Sequence, residues 1–257
     1  EGIEILPPTI LQLDRLAVLD ISCMELEELP SWIGNLKNLQ RLDLSDGKYD
    51  YELPDEIGDL TNLQVLNLSG VMINSLPASI ENLKNLQRLD LSYTALDGTG
   101  LQDEIGGLTN LRVLILNNSG IKSVPASIGN LKKLEELYMR DLYLNGLPYE
   151  IGGATNLKIL DLSDSHMDQF ILPDSIGNLT NLTELYLPDP NLNDEHQGPT
   201  TRGLPEWIRN LDKLVRLSVP DYHLTELPSW IGSFNYLKFL CLDMELEDLP
   251  DEIGRLT

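Results

Sequence analysis

The sequence predicts an α/β solenoid of about ten full copies of one short unit, with an eleventh begun. Three observations predict it. The string Leu-Pro, or a near variant, recurs at Leu6, Leu29, Leu53, Leu76, Val124, Leu147, Leu172, Leu204, Leu227 and Leu249, and Leu101-Gln102 fills the gap in the series. Successive spacings are 23, 24, 23, 25, 23, 23, 25, 32, 23 and 22 residues. Inside a unit the apolar period changes from two to nearly four, so each unit joins a strand to a helical or 3₁₀ stretch.

The unit LPASIENLKNLQRLDLSYTALDGTG, residues 76–100, shows each element in turn. Pro77 stands where a helical stretch begins, because its missing N–H is not needed there. Leu76, Ile80, Leu83 and Leu86 then form one apolar stripe. Leu89-Asp90-Leu91 alternates apolar and polar, as a short strand does. No unit can bury its leucines alone, so neighbours must stack them into a shared column. Strand spacing of about 4.8 Å makes ten stacked units roughly 45–50 Å long. Residues 1–257 are read as one repeat domain, with full units starting at 6, 29, 53, 76, 101, 124, 147, 172, 204 and 227 and a partial unit at 249. The eighth unit carries DPNLNDEHQGPTTRG, residues 189–203, a polar insertion with Pro and Gly that reads as a projecting loop.

Composition narrows the function. With 42% apolar residues in 257, the chain is not disordered. No apolar run approaches the roughly 18 residues of a membrane-spanning helix, so membrane insertion is not expected. Forty-one acids against 18 bases, a net charge of −23, repel phosphate backbones and anionic lipid. Nucleic acid is therefore not the expected complement; a basic protein surface suits the charge. Cys23 and Cys241 are too few and too far apart for a disulfide scaffold, which points to a reducing, cytoplasmic setting or else carries no redox signal. The last residues, Leu256-Thr257, precede any eleventh strand. Solenoid ends need polar caps, so flanking domains of a larger parent chain are expected.

The pattern L-x-x-L-x-L followed by L-P-x-x-I-G-x-L-x-x-L resembles the leucine-rich repeat family over nearly the whole chain. The Leu-Pro-x-x-Ile-Gly form, as in LPSWIGNLKNLQRLDLS and LPDEIGDLTNLQVLNLSG, is similar to intracellular members. Among these are plant nucleotide-binding immune receptors, plant Ras-group repeat proteins, Shoc2-like scaffolds and bacterial repeat effectors. The resemblance implies a horseshoe with a concave parallel β-sheet and short α or 3₁₀ helices on the convex side. It also implies a protein partner: a pathogen protein or another domain for a receptor, a small GTPase for a scaffold. A rival implication is the substrate-recognition arm of a bacterial effector, such as a ubiquitin ligase, whose catalytic domain lies outside this sequence. Family members place Asn three residues after the last strand leucine. Here those positions hold Met24, Gly47, Val71, Thr94, Ser119, Leu142, Ser165, Pro190 and Tyr222. No asparagine ladder is expected, and Thr94, Ser119 and Ser165 are expected to bond locally instead.

Strand alternation names the side chains that face the concave surface. One column reads Val18, Arg41, Val65, Arg88, Val113, Glu136, Ile159, Glu184, Arg216 and Phe239. A second reads Asp20, Asp43, Asn67, Asp90, Ile115, Tyr138, Asp161, Tyr186, Ser218 and Cys241. A third, two places after the last leucine, ends Asp141, Asp164, Asp189, Asp221 and Met244. Stacked like charges repel, and stability alone does not favour them. With Tyr138, Arg140, Tyr186 and Tyr222 among them, residues of the kind that anchor interfaces, Asp141, Asp161, Asp164, Asp189 and Asp221 form the candidate partner-binding face. The competing reading is that these aspartates only accept turn hydrogen bonds. Trp32, Trp207 and Trp230 share one slot and are read as packing between outer segments, with Trp207 and Trp230 stacked.

Catalytic constellations are absent from the sequence. His166, His196 and His223 form no metal-binding pattern. There is no G-x-S-x-G or phosphate-loop string. Regularly spaced carboxylates on a rigid sheet make a poor calcium cage, and no cofactor or metal is expected. The sequence thus reads as a non-enzymatic protein-recognition module.

Overall fold

The computed structural model describes residues 4–47, 52–96, 101–167, 172–190, 204–220, 226–242, 246 and 248–256. The strands are β1 Val18–Asp20, β2 Arg41–Asp43, β3 Val65–Asn67, β4 Arg88–Asp90, β5 Val113–Ile115, β6 Glu136–Tyr138, β7 Tyr143–Leu144, β8 Ile159–Asp161, β9 His166–Met167, β10 Glu184–Tyr186, β11 Asp189–Pro190, β12 Arg216–Val219 and β13 Phe239–Leu242. Ten of them form one open parallel sheet in the order β1-β2-β3-β4-β5-β6-β8-β10-β12-β13. Every pairing keeps the same register, so the middle leucines Leu19, Leu42, Leu66, Leu89, Leu114, Leu137, Leu160, Leu185, Leu217 and Leu240 lie in one row. From Leu42 to Leu217 that row is fully buried.

The outer side is built from 3₁₀ helices of five residues; no α-helix occurs among the described residues. Ala78–Asn82 is typical. Pro77 is its N-cap, one residue outside the helix, and its carbonyl accepts the Ile80 amide at 3.0 Å. Leu83 ends the helix by donating to the Ile80 carbonyl. The apolar stripe predicted for this stretch is real, since Leu76, Ile80, Leu83 and Leu86 are all buried. The turns are tight enough for 3₁₀ geometry, and the next turn starts before an α-helix could propagate.

Glycine sets the distance between units. A Cβ on Gly129 would lie 2.2 Å from the Glu150 carbonyl oxygen of the next unit, and one on Gly58 would lie 2.3 Å from that of Ser79. Only a hydrogen fits at such a backbone approach. The fourth and ninth units have Glu81 and Arg209 in this slot; Ala78–Asn82 still lies close against Asp103–Gly107, whereas Glu206–Asn210 makes much less contact with Ser229–Ser233.

An asparagine ladder does exist, contrary to the sequence expectation, because it uses a different slot. Asn38, Asn62, Asn85, Asn110, Asn156 and Asn181 precede the leucine that leads into each strand. Each donates its amide N–H to a backbone carbonyl of the preceding unit: Asp14, Lys37, Thr61, Lys84, Lys132 and Thr155, at 2.6–2.9 Å. Where Lys133 and Lys213 replace asparagine, their ammonium groups reach Asn110 and Asn181 of the unit before. Of the local bonds expected elsewhere, the Thr94 hydroxyl donates to the Leu91 carbonyl at 2.8 Å. Ser165 bonds across to the preceding unit and not locally: its hydroxyl donates to the Met139 carbonyl at 2.6 Å and accepts the Leu142 amide at 3.0 Å. The Ser119 hydroxyl, also buried, finds no such partner among the described residues. Replacing one ladder residue, Asn85→Ala, is expected to cost about 1 kcal/mol, because the orphaned carbonyl is exposed and rebinds water. Urea unfolding of the variant against the parent chain measures it.

Two further differences concern the sixth to tenth units. A second, three-stranded parallel sheet, β11-β9-β7, lies after the main strands, which the sequence did not signal. The tryptophans are packing residues: Trp207 is buried, and Trp230 meets Phe234 edge-on at 5.9 Å instead of stacking on Trp207. Cys23 and Cys241 are free and exposed at opposite ends of the main sheet.

Candidate protein-binding face

The sheet register brings the two predicted concave columns into true rows. One row runs Glu136, Ile159, Glu184, Arg216, Phe239 and the other runs Tyr138, Asp161, Tyr186, Ser218, Cys241. Tyr138 and Tyr186 therefore stand on either side of Asp161, one strand away each. Their phenols are not loose. Tyr138 donates to Glu136 Oε2 at 3.1 Å and Tyr186 to Glu184 Oε2 at 2.8 Å. Glu and Tyr two residues apart on one strand project on the same face, which is why Glu-Leu-Tyr occurs in both places. That spacing signals Glu136 and Glu184 as members of the face, beyond the residues proposed from the sequence.

Burial and the neighbouring carboxylates push both phenols up to about 12. For Tyr138 burial is the largest cause, then the Glu136 hydrogen bond and the charges of Glu136, Glu184 and Asp161. For Tyr186 burial again leads, then Glu184 and its charge, with Arg216 opposing. These groups keep their protons in the folded chain after unfolded tyrosine, at about 10, has lost them. The unfolded state binds fewer protons between those values, so their stabilisation is complete below about pH 10 and fades as pH rises toward 12. An absorbance titration of phenolate is expected to show a late component, absent from a Tyr138→Phe/Tyr186→Phe variant.

The aspartates divide into two classes. Asp20, Asp43, Asp90 and Asp161 end their strands, and each accepts both the amide and the hydroxyl of the serine two residues on. Such local bonds turn the chain off the strand. Asp141 and Asp164 occupy a slot that also holds Cys23, Asp46, Tyr93 and Asn118, all with φ between 50° and 59°, and Gly70 with φ 74°. The left-handed backbone favours Gly, Asn and Asp there, so this column has a conformational reason that needs no ligand. The competing reading thus accounts for part of the acidic pattern. Asp164 and Asp141 remain exposed on the face all the same, and Asp141 accepts a hydrogen bond from Asn118 at 2.8 Å.

Arg140 bridges the classes, with Nε 3.7 Å from Asp161 Oδ2 and Nη2 3.5 Å from Asp164 Oδ2. Arg216 lies 3.7 Å from Glu184 and sits over the Phe239 ring at 3.9 Å, a cation–π contact that extends the face toward its C-terminal end. Glu135, just before β6, is different: Arg112 and Lys158 both pair with it. The Lys158 hydrogen bond is the largest of the effects that hold its carboxyl below the usual range. It adds nothing to the negative wall. Asp189 pairs with His166 in the small second sheet, two residues beyond the register its spacing implied, and so does not continue the column of Asp141 and Asp164. Asp221 and Tyr222 lie outside the described residues, as does most of the inserted segment, 191–203. Among the described residues no cluster of His, Cys, Asp and Glu could hold a metal ion, and no helix is long and apolar enough to cross a membrane.

Known proteins share this architecture. A family model described as leucine-rich repeat region matches residues 89–197. A leucine-rich repeat protein of Leptospira interrogans superposes with a TM-score of 0.81 at 34% identity, over 100% of this chain and 68% of that one. The plant peptide hormone receptor RGFR1, solved in complex with RGF2, matches at TM-score 0.65 and 28% identity, over 97% of this chain and 44% of the receptor. PEPR1, solved with AtPEP1, matches at 0.72 and 27%, over 93% and 37%. No curated protein matches the chain in sequence. A single-register parallel sheet, 3₁₀ helices behind it, and a 34%-identical neighbour of which the chain spans two thirds lead to one conclusion: the chain belongs to the leucine-rich repeat family.

Proposed function

We propose that the chain is a non-enzymatic recognition module that binds a basic protein segment on its concave face, as the sensing region of a larger intracellular receptor or scaffold. The observation that carries this reading is the row Tyr138–Asp161–Tyr186 with Glu136 and Glu184 in the row beside it. Aromatic side chains and carboxylates stand on a hydrogen-bonded sheet, so little side-chain entropy is lost on binding. The carboxylates of Glu136, Asp161, Asp164 and Glu184 outnumber the two guanidinium groups, Arg140 and Arg216, set among them. Such a wall steers a cationic partner, and binding weakens as salt rises. Family members RGFR1 and PEPR1 were solved with RGF2 and AtPEP1, which is in keeping with a protein ligand here. Two free, exposed thiols suit a reducing compartment.

The test is selection of ligands from a random-peptide display library on the parent chain. Selected peptides are expected to be rich in Lys and Arg and to lose binding as salt increases. They are expected to lose at least tenfold in affinity for the Tyr138→Ala/Tyr186→Ala/Asp164→Asn variant, shown to be folded by circular dichroism. Ligands that bind this variant as tightly as the parent contradict the reading.

A further inference from the structure

We propose that the rim of the solenoid where the chain enters the main strands binds a short acidic segment of a protein partner, through Lys84, Arg112, Lys132, Lys133 and Lys158. The charge of the chain is unevenly placed. In each full unit six residues lead from the C-cap of the 3₁₀ helix to the first residue of the main strand, as 83–88 and 131–136 do. Those ten stretches hold 12 of the 18 Lys and Arg and only 5 of the 41 Asp and Glu. The rim is therefore basic in a chain whose net charge is −23.

Hydrogen bonds make the rim contiguous across the fourth to seventh units. Asn110 donates to the Lys84 carbonyl and accepts from Lys133 Nζ, Asn156 donates to the Lys132 carbonyl, and Arg112 and Lys158 both pair with Glu135. All five cations are exposed. Their bonds hold them in place but leave their charge uncompensated. Lys84 and Lys132 donate to the Gly107 and Gly153 carbonyls at 2.9 and 2.7 Å, and Lys133 to the Asn110 amide oxygen at 2.5 Å. These acceptors are neutral, and among the described residues none of the three lysines is ion-paired. Arg112 and Lys158 share one carboxylate, so five positive charges face a single negative one. Lys37, Arg41, Arg88, Arg140 and Arg216, in contrast, each face a carboxylate at 2.8–3.7 Å. Attraction to the C-terminal carbonyls of a helix accounts for Lys84 and Lys132. It does not account for Lys133, which stands in a slot of the asparagine ladder, or for a second cation on Glu135.

Size and screening select the partner. Three strand spacings span about 14 Å, which about five extended residues cover. Charges are screened beyond about 8 Å at physiological salt, so a short acidic segment lying on the rim feels the local positive charge and little of the rest of the chain. A nucleic acid duplex reaches far past the rim, and the net charge of −23 repels it. Carboxylates placed on the rim form charge-assisted bonds with cations that are already held by their carbonyl and amide acceptors, so little side-chain entropy is lost.

The probe is the peptide acetyl-Glu-Asp-Glu-Asp-Glu-amide, with acetyl-Gln-Asn-Gln-Asn-Gln-amide as its neutral match, titrated into the chain and followed by NMR of the backbone amides. The acidic peptide is expected to move the signals of Lys84, Arg112, Lys132, Lys133 and Lys158 saturably. The neutral peptide, or the Lys132→Gln/Lys133→Gln/Lys158→Gln variant, is expected to weaken binding at least tenfold. The charge-matched variant Lys122→Gln/Arg209→Gln/Arg255→Gln, altered outside the rim, is expected to bind like the parent. A thermal melt checks the fold; should the rim variant fail to fold, the neutral peptide and the position of the shifts decide. Equal binding of the neutral peptide, shifts confined to residues outside the rim, equal losses in the two variants, undiminished binding to the rim variant, or no saturable shift at millimolar peptide overturns the proposal. A short DNA duplex that binds the same rim as tightly as the acidic peptide overturns its assignment to a protein segment.

Discussion

Leu137→Ala is expected to lower the unfolding free energy by about 2–5 kcal/mol, the range for truncating a fully buried leucine. Leu137 has no exposed surface and sits in β6, with Leu114 and Leu160 beside it in the leucine row. The cost has two parts: lost transfer energy and a cavity that rigid neighbours cannot close. Position along the array adds a contrast. Each unit of a solenoid touches only its neighbours, so damage in the middle severs two stacks while damage at an edge harms one. Leu19 and Leu240, in β1 and β13, are only partly buried. Their alanine variants are expected to lose clearly less. Equilibrium denaturation of the three variants measures the gradient, and equal losses would contradict a nearest-neighbour array.

Gly129→Ala is the second large effect, expected at about 1–3 kcal/mol or more. The new methyl would lie 2.2 Å from the Glu150 carbonyl oxygen and 3.0 Å from its carbon, so backbone and not a flexible side chain blocks it. The helices Ala126–Asn130 and Tyr149–Gly153 must then separate, loosening the outer wall locally. Gly254 is the internal control. It occupies the same slot in Asp251–Arg255, but nothing lies within 4 Å of its Cβ position. Gly254→Ala is expected to be neutral or slightly stabilising, because alanine restricts the unfolded chain more than glycine does. Thermal melts of the pair distinguish a packing role from a purely conformational one.

The main sheet was legible because its signal is local and repeated. Leu-x-Leu every two dozen residues determines which side chains point inward, and the register then follows from stacking like on like. For that reason the rows through Tyr138, Asp161 and Tyr186 fall as the spacing implies. What the spacing could not resolve was backbone conformation. Asp141 and Asp164 look like a charge column in sequence, yet Cys23, Tyr93 and Asn118 share their positive φ, so the slot selects for a left-handed turn before it selects for charge. Asp189 left the column because the eighth unit pairs two residues ahead of its neighbour there, Asp189 lying opposite His166 and not Asp164. The asparagine ladder runs before the strand and not in the family's usual slot after it. The recurrent Asn-Leu before the strand, at Asn38, Asn62, Asn85 and Asn110, carried the signal. Outer helix type was not decidable, since a stripe spaced four and three suits one α turn or two 3₁₀ turns equally.

Hydrogen exchange of the chain with and without a display-selected peptide is the most direct measurement of where recognition occurs. New protection is expected in β6, β8 and β10 and in the turns that follow them, with the 3₁₀ helices Ala126–Asn130, Tyr149–Gly153 and Asp174–Asn178 unchanged. Protection confined to those outer helices, with the three strands unaffected, would contradict the account.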